Sequence, residues 1–275
     1  MTDILSSTAD PALADALDAN FTQQYTYFRN APQATVHDDD TITWVVSGIP
    51  IAEYNAVTRL RLPPNTSQQT LDVQIEATIA EFRTRHLPFT WWIGPTTTHW
   101  ETLAQRLIAH GLTHLGKGPG MAVKLDMLPE QLSTPDGLII EPVNDLAGLD
   151  AWVRTAGAGY GEPEDVLRAR LAVHTHLGMG PDLPLRRYLA WLDGQPVALS
   201  AYFLAAGIVG IYDVATIPPV RRQGIGAAIT LAPLRAAHAL GYRVGALESS
   251  PMGVGVYTRL GFRACCSFDL YSWEP

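Results

Sequence analysis

The chain has almost no cysteine. Only Cys265 and Cys266 occur, and they are adjacent. Neighbouring thiols cannot staple distant parts of a fold, so a reduced, cytoplasmic protein held by its core is expected. Long apolar runs are missing, and nothing approaches the roughly 20 residues of a membrane span. The opening stretch MTDILSSTADPALADAL has no basic start and no long apolar segment, so it does not read as a secretory leader. Basic residues are in the minority, 19 against 27 acidic, for a net charge of −8. That argues against a general nucleic-acid binder and leaves room only for a local basic site. Metal-ligand spacings are lacking too. His174 and His176 stand two apart on an expected helix and point in different directions, and no metal site is expected. Ser249 and Ser250 lack the G-x-S-x-G frame of a hydrolase elbow.

What is present is a large apolar fraction, 47% of 275 residues, enough to bury the core of one large domain or two ordinary ones. The first ~20 residues look weakly helical. TITWVVSG and AEYNAVTRLRL read as strands, with Gly48 and Pro50 between them. Leu71, Ile75, Ile79 and Phe82 recur at helical spacing between Thr70 and His86. PFTWWIGP is a buried strand in which Trp91 and Trp92 read as core, HWETLAQRLIAHG a helix stopped by Gly111, and GMAVKLDML a strand. PEQLSTPDG is polar and turn-rich and predicts a boundary between domains at 1–128 and 137–275.

The second half restarts with the strand LIIEPV and a helix over about Leu146 to Ala156. GAGYGEPED reads as a loop, and Pro163 suits the first turn of a helix with an apolar face of Leu167, Leu171, His174 and Leu177. Three strand signals follow up to Thr216, with hairpin turns at Asp193-Gly194 and Gly207. A helix then runs to about Leu240, followed by the strand RVGALESS, a short helix in PMGVGVYTRL and a last strand in FRACCSFDLYSW. Pro233 falls inside the long helix, where a proline costs ~3 kcal/mol or forces a kink. The two halves share this order of elements, and Gly111-Leu112 answers Gly261-Phe262, an echo that alternation in most α/β chains would also produce.

VRRQGIGAAIT, between an apolar strand and a helix, poses a specific question. Glycine at this spacing suits neither helix nor strand interior. A strand, a glycine turn and a helix N-terminus together make an anion site, where unpaired N–H groups converge and the helix dipole adds positive potential. Gly224 and Gly226 remove side chains that would fend off an anion, and Arg221 and Arg222 add charge at the rim. A diphosphate is the natural guest. The pattern is neither G-x-G-x-x-G nor G-x-x-x-x-G-K-[ST], which speaks against dinucleotide and P-loop sites.

Arg221-x-x-Gly224-x-Gly226 after an apolar strand resembles the pyrophosphate loop of the Gcn5-related N-acetyltransferases. About 30 residues on, Tyr257-x-x-x-Gly261-Phe262 resembles that family's second motif. The resemblance carries clear motifs over Leu138 to Trp273 and element order alone before that. It implies an α/β (α+β) fold of two tandem acyl-CoA N-acyltransferase-like domains, each a mixed sheet flanked by helices. It implies that the amides of Arg222, Gln223, Gly224, Ile225, Gly226 and Ala227 hold the pyrophosphate of acetyl-CoA, with Arg221 beside them. Val214, Ala215 and Thr216 would pair with the pantetheine arm, and Tyr257 would protonate the departing thiolate. A protonated amine is not nucleophilic, so a base is also needed, with Glu248 the first candidate and Asp213 the second. Tyr160, Glu162 and Asp165 would attract a cationic acceptor, a role that competes with simple capping of the next helix.

The first half departs from the family at both chemical points. Its turn is PPNTSQQT, and Leu107 stands where Tyr257 stands in the second half. A degenerate first half is therefore expected, either structural or walling the acceptor site. The expected activity is transfer of acetyl from acetyl-CoA to a primary amine of a small molecule or peptide by direct attack on the thioester. The rival is a non-catalytic acyl-CoA-binding or sensing module. No nucleic-acid or membrane partner is expected, and acceptor, acyl length and oligomeric state are left open.

Overall fold

The computed structural model describes residues 4–275. The first half runs α1 (Leu13–Thr26), β1 (Thr35–Asp38), β2 (Ile42–Val46), β3 (Ala56–Leu60), α2 (Gln68–Arg83), β4 (Phe89–Ile93), α3 (Trp100–Ala109) and β5 (Thr113–Lys124). The second runs β6 (Ile139–Pro142), α4 (Leu146–Tyr160), α5 (Glu164–His176), β7 (Leu185–Leu192), β8 (Gln195–Ala205), β9 (Ile208–Thr216), α6 (Ile225–Ala239), β10 (Val244–Glu248), α7 (Val254–Arg259) and β11 (Arg263–Trp273). The expected mixed sheet flanked by helices is present, and no described helix is long and apolar enough to cross a membrane.

All the described strands join one 11-stranded sheet in the order β1-β2-β3-β4-β11-β5-β10-β9-β8-β7-β6. The last strand of each half lies inside the other half. β11 pairs antiparallel with β4 from Asp269–Ile93 to Trp273–Phe89, and β5 pairs antiparallel with β10 from Lys124–Val244 to Gly120–Glu248. α1, α4 and α5 bury their apolar residues in one shared core, with Phe21, Trp92, Trp152, Leu199 and Phe268 among its members. On the other side α2 and α3 pack with Trp91 and Phe89, and α6 packs with Tyr202 and Phe262. Helix α1 is also pinned to the second half by polar contacts. The Asn20 amide donates to the carbonyls of Phe203 and Ala205 at 3.1 and 3.0 Å, and Tyr212 Oη donates to Asn20 Oδ1 at 2.7 Å.

Three local expectations differ from the structure. Strand β1 was not anticipated, because this short edge strand is largely exposed and carries no apolar alternation. Helix α4 continues to Tyr160 through the stretch read as loop, since Leu167 of α5 packs onto Gly157 and holds the last turn. The buried face of α5 is Val166, Arg170, Val173 and His174, so Leu167 and Leu171 lie only at its margin and a charged residue takes an interior place.

Pro233 is accommodated by a specific substitute. Without an N–H it leaves the carbonyl of Ile229, four residues earlier, unbonded within the helix. Ser200 Oγ, fully buried on β8, donates to that carbonyl at 2.7 Å. Ser200→Ala should therefore destabilise the protein by about 1–3 kcal/mol, the range for a buried acceptor left unmade. Denaturant unfolding measures this. Adding Pro233→Ala restores a backbone donor and should recover most of the loss; an unrecovered double variant would show that the serine acts otherwise.

Candidate active site

Strands β9 and β10 run parallel but pair at only two positions, Val209–Gly245 and Gly210–Ala246, and then part. The sheet opens there into a cleft. β9 is bulged on its other side, where the register jumps from Leu199–Ala215 to Ala201–Tyr212. Asp213 sits in the bulge at φ 53°, a left-handed conformation uncommon for a residue with a β-carbon. Tyr54 of the first half donates its hydroxyl to Asp213 Oδ1 at 3.2 Å.

The glycine loop lies past the end of β9. After a short 3₁₀ turn at Pro218–Val220, Arg222 (φ 64°) and Gly224 (φ 84°) turn the chain into α6. Gly224 is the N-cap and offers no side chain to the first turn, and the first bond into the helix is Ala228 N–H to Gly224 O at 3.1 Å. The amides of Ile225, Gly226 and Ala227 thus have no partner within the helix. Arg221 is latched to backbone, donating to Thr216 O at 2.9 Å and Gly159 O at 2.8 Å, so it braces the loop against α4. Gly224 is hemmed in by the segment joining the halves, since a β-carbon there would collide with Ser133 O. Gly226 is open, with only Thr216 Oγ1 within reach of a β-carbon, at 3.6 Å.

The first half opens in the same way and closes itself. β3 and β4 pair in parallel at Ala56–Thr90 and Val57–Trp91. Beyond that point Thr98 bridges to the chain leaving β3, its N–H donating to Leu60 O at 3.2 Å and its Oγ1 accepting from Leu62 N–H at 2.7 Å. At the start of α2, Ser67 Oγ caps the Thr70 N–H at 3.1 Å. Neither a free strand edge nor an uncapped glycine turn is left there.

A pocket of about 300 Å³ lies along the cleft and is lined from both halves. Asp213, Val214, Glu248, Tyr257 and Tyr160 reach it from the second half, and Tyr25, Glu53 and Tyr54 from the first. Burial pushes the Glu248 carboxyl up to about 7. Burial, and then the charge of Glu248, push the Tyr257 phenol up to about 12. At neutral pH this places a carboxyl poised to exchange a proton beside a phenol that keeps its own. Ala215 is buried in β9, and the Thr216 hydroxyl faces Gly226. Glu162 is turned inward to Arg170 at 2.6 Å, and Asp165 is exposed in the first turn of α5; neither lines the pocket. Arg170 is sandwiched among aromatic rings, its guanidinium 4.7 Å from the Tyr54 ring centroid and 5.8 Å from that of Tyr160. Burial raises the Glu162 carboxyl, and Arg170 partly offsets that rise.

Sequence reasoning passed over Tyr25, Glu53 and Tyr54, which no local motif marks. It also passed over Gly118. That residue lies on β5 where Glu248 Oε1 packs against the backbone, so a β-carbon there would displace the carboxylate. The signal was readable: Gly116, Gly118 and Gly120 at alternate positions weaken a strand and call for a close neighbour.

No family model matches the chain, and no curated protein matches its sequence. Solved structures do match in fold. A GCN5-related N-acetyltransferase from Kribbella flavida is similar at TM-score 0.68 and 19% identity, over 96% of this chain and 97% of that one. A GCN5-related N-acetyltransferase from Sphaerobacter thermophilus gives TM-score 0.60 and 17% identity over 88% and 76%. A tandem GNAT protein from the clavulanic acid biosynthesis pathway gives TM-score 0.56 and 14% identity over 100% and 98%. Likeness at such low identity speaks to fold rather than chemistry. The chain has the fold of the GCN5-related N-acetyltransferases, carried by two joined halves.

Proposed function

We propose that the chain is an N-acetyltransferase that moves the acetyl group of acetyl-CoA to a primary amine of a small molecule or peptide. The observation that carries this reading is one cleft with an uncapped glycine loop at its rim and Glu248 and Tyr257 in its pocket. Region 137–275 holds the cofactor and supplies the acid and base, and region 1–128 walls the acceptor side. The residues fit acetyl-CoA as co-substrate. The free amides of Ile225, Gly226 and Ala227 suit a diphosphate, and the unpaired edge of β9 at Val214–Thr216 suits an amide-bearing arm. Glu248 takes one proton of the acceptor ammonium, and the freed amine attacks the thioester carbonyl. The C–S bond breaks as Tyr257 gives its proton to the leaving sulfur, and the second proton shed by the acylated nitrogen returns to the Tyr257 phenolate. Asp213, held by Tyr54, faces the same pocket and orients the cation.

Gly226→Val should abolish acetyl-CoA binding with the fold intact, because a β-carbon there has room against the protein but fills the place of the anion. Calorimetry checks this, and the wild-type chain should take up one acetyl-CoA, not two. Gly224→Val is a poorer probe, since it collides with Ser133 and disturbs the linking segment.

Tyr257→Phe removes only the hydroxyl. Turnover should fall by ~10²–10⁴, the range for one positioned acid, with acetyl-CoA affinity little changed. Steady-state release of free thiol reads the rate. Tight acetyl-CoA binding by the wild type, with no turnover across a broad amine panel, would favour the sensing module instead.

With Glu248 titrating at about 7, kcat/KM should rise with pH up to that value and level off above it. Glu248→Gln should remove the inflection. The sign for stability is opposite. The folded carboxyl holds its proton to higher pH than the unfolded one, so this group's contribution declines as pH rises from 4.5 to about 7. Denaturant midpoints taken across that window should fall less steeply for Glu248→Gln than for wild type.

A further inference from the structure

Resting on the acetyl-transfer reading, we infer that the acceptor is a small amine on a flat apolar body and carries no carboxylate. Size comes first. About 300 Å³ is at the lower end of ligand pockets, so the guest is small. The walls are aromatic to an unusual degree. Phe21, Tyr25 and Trp92 of the first half and Tyr160 and Tyr212 of the second line the space. Phe21 stacks edge-on to Trp92 at 4.9 Å between centroids and lies 5.1 Å from Tyr25, so this wall is a packed, rigid surface. Such a surface rewards a flat apolar guest.

Charge decides the rest. Glu53, Asp213 and Glu248 line the pocket, and no lysine, arginine or histidine does. Two interior cations, Arg170 and Arg187, act on Asp213, and neither lines the pocket. Both are buried and committed elsewhere, Arg170 against the Tyr54 ring and bonded to Glu162, Arg187 bonded to His174 and to the carbonyl of Gly178. Two wall hydroxyls are also committed. Tyr25 donates to the backbone oxygen of Glu53 at 2.6 Å, and Tyr54 donates to Asp213. A cationic amine finds partners here. A carboxylate on the same guest would meet three acidic side chains and no cation on the pocket wall to pair with, which like-charge contact makes unfavourable.

The test uses 2-phenylethylamine and phenylalanine, which share ring and amine and differ by one carboxylate, with glucosamine as a polar third acceptor. Thiol release from acetyl-CoA gives kcat/KM, and calorimetry gives the affinity of each amine. 2-Phenylethylamine should exceed phenylalanine by at least about 100-fold, as expected when a site cannot pair a buried charge. Glu53→Arg, checked for folding by circular dichroism, should shrink that ratio at least about tenfold by supplying the missing cation. Equal or better use of phenylalanine or glucosamine would overturn the inference and leave acetyl transfer standing. Binding of 2-phenylethylamine in preference to phenylalanine, with no turnover of any amine, would uphold the pocket's selectivity and overturn acetyl transfer. Failure to bind 2-phenylethylamine, or turnover of other amines but not of it, would overturn the inference outright.

Discussion

The structure depends on an exchange of strands. β5 of the first half is inserted between β10 and β11 of the second, while β11 in turn lies between β4 and β5. Backbone ladders tie the halves where most two-part chains rely on side-chain contact. Among the described residues the exchange leaves β1 and β6 as the edges, both four residues long, which limits edge-to-edge pairing with other chains. It also fixes the parts of the candidate site. Gly118 belongs to β5 and Glu248 to β10, so the room that one gives the other exists only because the ladder sets them side by side. Helix α1, pinned through Asn20 to β8 and to Tyr212 of β9, then brings Tyr25 over the same cleft.

The halves share an architecture and diverge in what fills it. Each has a parallel pair that parts after two paired positions. In the first half the parted strands are bridged by Thr98 and the following helix is capped by Ser67. These side-chain bonds satisfy groups that an anion and an extended ligand would otherwise satisfy. In the second half the corresponding helix begins at Gly224 with no cap. On the acetyl-transfer reading, the half whose hydrogen bonds are complete is the one without a cofactor, and the half that leaves them open is the one that binds it. The side chains of the first half are then free to serve as wall.

What could be read from the chain follows the range of the forces involved. The loop at Gly224 and Gly226 and the Tyr257 motif are local, since a turn and a short helix carry them within a few residues. The long strands were legible for the same reason, through runs of buried β-branched and aromatic residues. Arg170 was not. No local pattern marks it, and only Glu162, Tyr54 and Trp152 arriving from other elements make its burial tolerable. Tyr25, Glu53 and Tyr54 escaped because their place depends on an inter-half ladder that no local pattern encodes. Pro233 was puzzling for a related reason, its compensation lying at Ser200 on a distant strand.

On the acetyl-transfer reading, the proximity of Glu248 and Tyr257 also orders the chemistry. Both groups are raised by burial, and the ionised carboxylate adds to the rise of the phenol. While Glu248 is charged, Tyr257 holds its proton more firmly and is the weaker acid. Once Glu248 has taken a proton from the acceptor amine, that charge is gone and the phenol can release its own more easily. Proton uptake at the base thus prepares the acid for the leaving thiolate. The coupling favours deprotonation of the nucleophile before protonation of the leaving group, the order in which a neutral amine can attack. It depends on a shared low-dielectric pocket, and aromatic side chains from the half whose own groove is bridged by hydrogen bonds line that pocket.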